Sequence, residues 1–278
     1  MAGEFIIRFW GVRGTSASPG PDTVRYGGNT PCVEVRCGDK LFILDSGSGI
    51  RKLGNELADE GGGVEAVLLF SHLHWDHIQG FPLFRPFYIP GNRFEIYGER
   101  KANGTMQQMM AGQMSYPYFP VPLEVMRAEK NFHDIGAGQV LTFGDVTVRT
   151  SPNNHPMGCL AYRFEYRGRS FVYATDTEHF SCLDQNLLNV ARKTDIFIYD
   201  TNYTDEEYSG QTGFPRVGWG HSTWQEGCKL AEAAEVGQLV LFHHDPDHPD
   251  DFMDEMERAA ISRCKFAVAA REGMVFKL

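Results

Sequence analysis

The sequence predicts an α/β fold built as one two-layered domain, and three observations carry the prediction. Two runs, Ala66-Val67-Leu68-Leu69-Phe70 and Gln238-Leu239-Val240-Leu241-Phe242, read as strands covered on both faces. Short β-rich stretches pair around glycine turns, and segments with helical spacing of apolar residues lie between them. With 278 residues, 42% hydrophobic content and no long polar tract or internal linker, residues 1–278 can bury a large core as a single domain.

The elements follow in order. Cys32–Arg36 and Leu41–Leu44 pair as strands around Gly38-Asp39, and Ile50–Glu60 has the spacing of a helix. The first apolar run comes next, followed by a segment rich in Phe, Tyr and Met, Phe81–Pro122, in which Gln107-Gln108-Met109-Met110 and neighbours fit a helix. Tyr162–Glu165 and Ser170–Tyr173 pair around Gly168, and Cys182–Arg192 reads as a helix. Ser222 with Gln225 forms a capping box for a helix running to about Glu235. After the second apolar run, Asp245–Asp251 reads as a solvated turn and Phe252–Arg263 as a helix.

The first apolar run delivers His72-Leu73-His74-Trp75-Asp76-His77, the pattern H-x-H-x-D-H. Imidazole nitrogens and a carboxylate suit a borderline divalent ion, and four potential ligands in six residues suit a pair of ions better than one. A strand that ends in a turn throws its last side chains over the sheet edge, where open α/β folds place their ligands. The second run delivers His243 and His244 in the same manner, so the two halves of the chain are expected to converge on one binuclear site. A solvated His-rich loop is the bland alternative.

These residues resemble the metallo-β-lactamase fold hydrolases, in which an αββα sandwich carries H-x-H-x-D-H, then a separate His, an Asp and a final His, each at a strand end. The later positions correspond to His155 in Asn153-Asn154-His155-Pro156, Asp176 in Tyr173-Ala174-Thr175-Asp176-Thr177, and His243 in Leu241-Phe242-His243-His244. The resemblance implies one ion on His72, His74 and His155, a second on Asp76, His77 and His243, and Asp176 bridging them. Zinc is the first expectation, with manganese or iron as alternatives. Asp45, in Phe42-Ile43-Leu44-Asp45-Ser46-Gly47, corresponds to an Asp that supports the ligands from behind, unless it is only a turn residue. The branch that hydrolyses β-lactams carries Cys where this chain has Asp176; a carboxylate there resembles the phosphodiesterase, ribonuclease Z, glyoxalase and lactonase branches.

Ribonuclease Z and its small-molecule phosphodiesterase relatives carry an acidic residue followed by Ala-Thr, and later His-Ser-Thr. Here Tyr199-Asp200-Thr201-Asn202-Tyr203 and Gly220-His221-Ser222-Thr223 correspond, with Asp in place of the usual Glu and Asn-Tyr where Ala-Thr is expected. The implied reaction is phosphodiester hydrolysis by a metal-bridging hydroxide, with Asp76 in the catalytic set. His221 would be the general acid, and Asp200 would set its tautomer. His221 as a mere helix-entry residue is the alternative.

Composition narrows the substrate. Lys+Arg 26 against Asp+Glu 36 gives a formal net charge of -10, so no global positive field gathers extended nucleic acid. Ribonuclease Z grips tRNA with a long arm commonly inserted between the third His and the bridging Asp, and only twenty residues separate His155 from Asp176. A small phosphodiester is expected, such as a cyclic nucleotide or a cyclic sugar phosphate. Arg13 and Arg51, each at a glycine-rich turn, are candidates to hold phosphate oxygens, with Arg25 no stronger. Phe84 and Tyr118 are candidates to wall the pocket, in or before an inserted Met/aromatic segment at about 98–130 that is a lid, a homodimer contact or core packing.

The six Cys are irregularly spaced with no C-x-x-C pair, so neither a disulfide scaffold nor a zinc finger is indicated. The additional Cys-rich zinc site of some phosphoribosyl cyclic phosphate phosphodiesterases has no counterpart. No cationic-apolar leader and no bilayer-length apolar stretch is seen, so a cytoplasmic protein without membrane partners is expected. Three rival functions stand beside the small-molecule phosphodiesterase: a ribonuclease Z-like endonuclease, a lactone or thioester hydrolase, and a catalytically silent sensor.

Overall fold

The computed structural model describes residues 3–278. In chain order its strands are β1 (Phe5–Gly11), β2 (Cys32–Cys37), β3 (Lys40–Leu44), β4 (Glu65–Leu69), β5 (Arg93–Glu99), β6 (Glu129–Ile135) and β7 (Val140–Phe143). There follow β8 (Val146–Asn153), β9 (Cys159–Tyr166), β10 (Arg169–Ala174), β11 (Ile196–Asp200), β12 (Gln238–Phe242), β13 (Ala267–Ala269) and β14 (Val275–Lys277). The helices are α1 (Ile50–Asp59), α2 (Trp75–Ile78), α3 (Met106–Gln113), α4 (Gln185–Ala191), α5 (Asp205–Ser209), α6 (Trp224–Ala233) and α7 (Asp250–Arg263).

The chain divides into two compact units, each with one seven-stranded sheet. The first comprises the stretch up to Gly11, Asn29–Gly136 and Gly273–Lys277; the second comprises Val12–Gly28 and Ala137–Glu272, with Leu278. The first sheet has the order β14-β1-β2-β3-β4-β5-β6, the second β13-β12-β11-β10-β9-β8-β7. In the first, the pairings from β14 to β3 are antiparallel and those from β3 to β6 parallel. In the second, β7 to β10 pair antiparallel and β10 to β13 parallel. Each sheet therefore has one strand, β3 or β10, at which the pairing changes sense.

The first unit's core shows why these residues fold as they do. Helix α1 buries Ile50, Leu53, Gly54 and Leu57, one face of a 3.6-residue repeat. A side chain at Gly54 would meet Phe84 at 2.7 Å, so the glycine lets α1 approach the aromatic cluster. That cluster joins Phe81 to Phe87 (ring centroids 4.5 Å), Phe84 to Phe87 (4.8 Å) and Phe87 to Phe94 (4.8 Å). Phe84 is fully buried in it, which corrects the expectation of a pocket-wall role: its ring is used up in core packing. The methionines of the 98–130 segment behave alike, with Met106, Met110 and Met114 buried in the same core. Tyr118 faces solvent at 73% exposure.

The second unit has its own core, in which Val172, Phe197, Leu239 and Leu241 from β10, β11 and β12 meet Leu187 of α4, Cys228 and Ala231 of α6 and Met253 of α7. Helix α4 starts later than its apolar spacing suggests because Asp184 caps it, accepting from the amides of Asn186 and Leu187. Helix α6 is capped one residue beyond the expected position, by Thr223 accepting from the Glu226 amide, which leaves Ser222 for other bonds. Among the described residues no helix is long and apolar enough to cross a membrane.

Burial of Phe84 leads to a direct expectation. Phe84→Ala should lower unfolding stability by about 3–5 kcal/mol in urea titration, while folded protein below the transition retains its substrate KM; a large KM change at unchanged stability would restore the pocket-wall role.

Candidate metal centre

In the first unit the ligand-bearing hexapeptide begins three residues beyond the end of β4. His72, Asp76 and His77 are buried, and Asp76 and His77 lie in the short helix α2. Behind them Asp45, directly after β3, is itself buried and adopts the left-handed conformation (φ 58°). Its Oδ1 accepts from the Ser71 amide at 2.8 Å, and its Oδ2 accepts from the Ser71 hydroxyl at 2.8 Å and from His77 Nδ1 at 2.9 Å. A carboxylate only accepts, so His77 carries its proton on Nδ1 and turns the Nε2 lone pair the other way, 3.2 Å from Asp76. The Ser71 hydroxyl, having given its proton to Asp45, accepts from His72 Nδ1 at 3.1 Å and fixes the same tautomer there. One carboxylate, directly and through Ser71, thus fixes the Nδ1 side of two imidazoles and leaves each Nε2 as the atom a divalent ion would take.

The second unit assembles a matching set. Asp176, just beyond β10 and also left-handed (φ 53°), is buried, with its Oδ1 accepting from the Thr175 hydroxyl and lying 3.3 Å from His243 Nε2. Its Oδ2 lies 3.8 Å from His155 Nε2. His155 donates Nδ1–H to the Gly220 carbonyl at 2.7 Å, and burial holds its imidazole below the ordinary range, in the neutral form. His221 Nδ1 is 2.9 Å from Asp200 Oδ2, and that fully buried carboxylate also accepts from the amides of Thr177 and Asn202. Both predicted members of the acid pair are therefore in contact. His155, Asp176 and His221 form one cluster able to hold a metal ion, and Asp200, His221 and His243 another. Buried carboxylates beside neutral imidazoles leave negative charge that a cation would offset, and this donor set fits a borderline divalent metal.

The two adjacent histidines after β12 have different jobs. His244 donates Nε2–H to the Ala270 carbonyl at 2.9 Å and stands edge-on to Tyr26, and burial pushes its pKa down to about 3. His243 (φ 62°) is the one directed at Asp176. Its ring fits because residue 14 is glycine: a side chain there would meet His243 Nδ1 at 2.4 Å.

That same turn corrects the reading of Arg13. The Arg13 side chain is fully buried, with Nε donating to the Gly27 carbonyl and Nη1 to the carbonyls of Asp245 and His248. It ties the 12–28 stretch to the loop after His243, and a guanidinium spent on backbone carbonyls is no phosphate clamp. The Asp245–Asp251 loop is correspondingly no solvated turn, since Asp245, His248 and Asp250 are buried. Arg51 lies exposed on α1, and Tyr118 and Phe84 sit as described above.

Glu178 is a residue the sequence reading missed. Buried just past Asp176, it accepts from the Tyr208 hydroxyl (2.7 Å) and the Gly218 amide (2.6 Å) through Oε1, and from the Gly220 amide (2.8 Å) through Oε2. It therefore fixes the turn whose Gly220 carbonyl orients His155 and whose next residue is His221. Gly220 is left-handed (φ 88°), and a side chain there would strike His155 Nδ1 at 2.3 Å. Only the Gly-Trp-Gly spacing before His221 hinted at such a turn.

Two outcomes are expected. Asp45→Asn keeps size and tolerates the left-handed backbone but cannot orient both His72 and His77, so metal affinity should fall roughly 10–100-fold in chelator competition. Glu178→Gln leaves one acceptor oxygen for three donors and should cost about 1–3 kcal/mol of stability in denaturant titration, with slower turnover; unchanged stability would mean the turn holds without it.

Residues 42–244 match the family described as Beta-lactamase superfamily domain. Among curated proteins, the chain is 28% identical over 255 residues to ribonuclease Z of Mycobacterium marinum, covering 83% of this chain and 84% of that protein. It is 29% identical over 262 residues to ribonuclease Z of a Mycobacterium species (strain KMS), covering 88% and 87%. Among solved structures, YhfI of Bacillus subtilis, a metallo-β-lactamase fold protein, matches with a TM-score of 0.73 at 20% identity over 99% of this chain and 100% of that one. A diphosphatase of the PhnP family matches at 0.72 and 18% over 99% and 98%, and the short form of human tRNase Z at 0.64 and 16% over 98% of both.

Proposed function

Because the chain belongs to the beta-lactamase superfamily and has the metallo-β-lactamase fold, we propose that it is a metal-dependent phosphodiesterase acting on a small phosphodiester. The observation that carries this reading is the buried Asp200–His221 pair at 2.9 Å, stacked beside the His243 ring at a centroid distance of 4.9 Å. Hydrolysis of a lactone or thioester has less need of such a pair, whereas an alkoxide leaving phosphorus needs a positioned acid.

The proposed ligand set is His72, His74 and His155 for one divalent ion and Asp76, His77 and His243 for the other, with Asp176 shared, and zinc is the first candidate. Bound there, the ions would supply Lewis-acid stabilisation of the phosphoryl oxygens and a water nucleophile at neutral pH. The remaining work falls to side chains of the chain itself. Asp45 and the Gly220 carbonyl keep the His77 and His155 imidazoles in the Nδ1–H tautomer, with the Nε2 lone pair free. Asp200 accepts from His221 Nδ1, so His221 would hold its transferable proton at Nε2 and release it to the departing oxygen. Asp200 in turn keeps its geometry through the amides of Thr177 and Asn202.

A second reading, endonucleolytic cleavage of RNA, is favoured by the similarity to curated ribonucleases Z. Against it stand the net charge of -10 and the twenty residues between His155 and Asp176, which leave no long arm for tRNA.

A panel of an aryl phosphodiester, cyclic nucleotides and precursor tRNA separates these readings. Asp76→Ala and metal chelation should each abolish diesterase turnover, and zinc, manganese or iron should restore the chelated protein. His221→Ala should lower kcat by about 10²–10⁴ for alkoxide leaving groups and much less for the aryl ester. No diesterase activity with two metals bound would sink the reaction; preference for precursor tRNA would select the second reading.

A further inference from the structure

The turn that leads into His221 carries an exposed aromatic residue with no part in the chemistry described so far. Trp219 is 56% exposed, and Phe214 and Val217 on the same turn are also solvent-facing. Large apolar side chains grouped on one surface turn usually mark a contact site. The backbone beneath them is held: the Arg216 amide donates to the Tyr208 carbonyl at 3.0 Å, the Trp219 amide to the Arg216 carbonyl at 3.1 Å, and the amides on either side of Trp219 donate to Glu178. An indole presented on fixed backbone loses little entropy when a ligand settles on it.

The surroundings of the indole indicate what it would take. The Arg216 guanidinium stacks over the Trp219 ring at 5.1 Å and over the Tyr203 ring at 5.0 Å, and the Tyr203 ring stands edge-on to His221 at 5.9 Å. Arg216 hydrogen-bonds the Tyr203 side chain and lies 3.7 Å from Asp245. A row of guanidinium and aromatic faces thus runs from the acid histidine to the exposed indole. Such a row favours a planar π system that stacks, with an anionic group near the cation, over an aliphatic chain, which gains nothing from a quadrupole.

We propose that Trp219, backed by Arg216, is the platform for the nucleobase of a nucleotide substrate, on the side of the site served by His221. The proposal rests on the phosphodiesterase reading and narrows it to a nucleotide whose base lies on the leaving-group side. It moves base recognition from Phe84 and Tyr118 to the turn before His221.

Binding tests it without turnover. Calorimetry of the full chain with AMP and with ribose 5-phosphate, which keeps the phosphate and lacks the base, should give roughly tenfold or tighter binding for AMP. Trp219→Ala should erase that difference while leaving ribose 5-phosphate affinity as it was, and Trp219→Phe should keep much of it. Equal affinity of the wild-type chain for the two ligands, or an AMP preference that survives Trp219→Ala, would overturn the proposal. So would binding to phosphatidylcholine vesicles that Trp219→Ala removes, since the turn would then be a lipid contact. Base-dependent binding through Trp219 in a protein that hydrolyses no diester would leave the platform standing and remove the phosphodiesterase reading instead.

Discussion

Buried carboxylates at strand ends are the constraint on which the rest depends. Asp45 and Asp176 each stand just beyond the strand at which their sheet changes from antiparallel to parallel pairing, and each has a left-handed backbone. That conformation costs a non-glycine residue energy, of the order of 1–3 kcal/mol, and persists only where surrounding bonds overdetermine it. At Asp45 three donors do so; at Asp176 the Thr175 hydroxyl and the facing imidazoles surround the carboxylate. The strain turns a carboxylate from the strand line toward its histidines, so local backbone energy is exchanged for ligand orientation.

The electrostatics follow from burial. Burial lowers the pKa of His155, whose Nδ1 is taken up by the Gly220 carbonyl, while the Asp176 and Asp200 carboxylates are buried close by. Arg13, buried nearby, is committed to backbone carbonyls. A divalent cation held by these residues would balance the charge of the buried carboxylates.

Much of this was legible in the residues. Strands β4 and β12 announced themselves as apolar runs because each lies within the parallel part of its sheet, where side chains on both faces are buried toward the strand's end. The Asp200–His221 contact was foreseeable from motif order, though not its distance. What escaped reading was whatever depends on a partner far along the chain. Arg13 reads as a ligand arginine beside glycines until its acceptors at Gly27, Asp245 and His248 are seen, and Phe84 reads as a wall until α1 is packed against it through Gly54. Glu178 has no pattern of its own, since its donors, the Tyr208 hydroxyl and two backbone amides, lie 30 to 42 residues away. The short edge strands β13 and β14 offer three residues each, too few for any periodicity to register.

The way the chain is threaded carries a consequence for biosynthesis. The first unit's sheet includes β14 beside β1, while the second unit draws in the 12–28 stretch, so neither unit is contiguous in sequence. During translation, β1 must wait for nearly the whole chain to emerge before its β14 edge can close, and the 12–28 stretch must wait equally long for His244, Asp245 and His248. Neither half can be excised as a contiguous fragment and retain its full sheet and ties, and a nascent chain stalled in the middle would expose the open β1 edge to whatever strand it met.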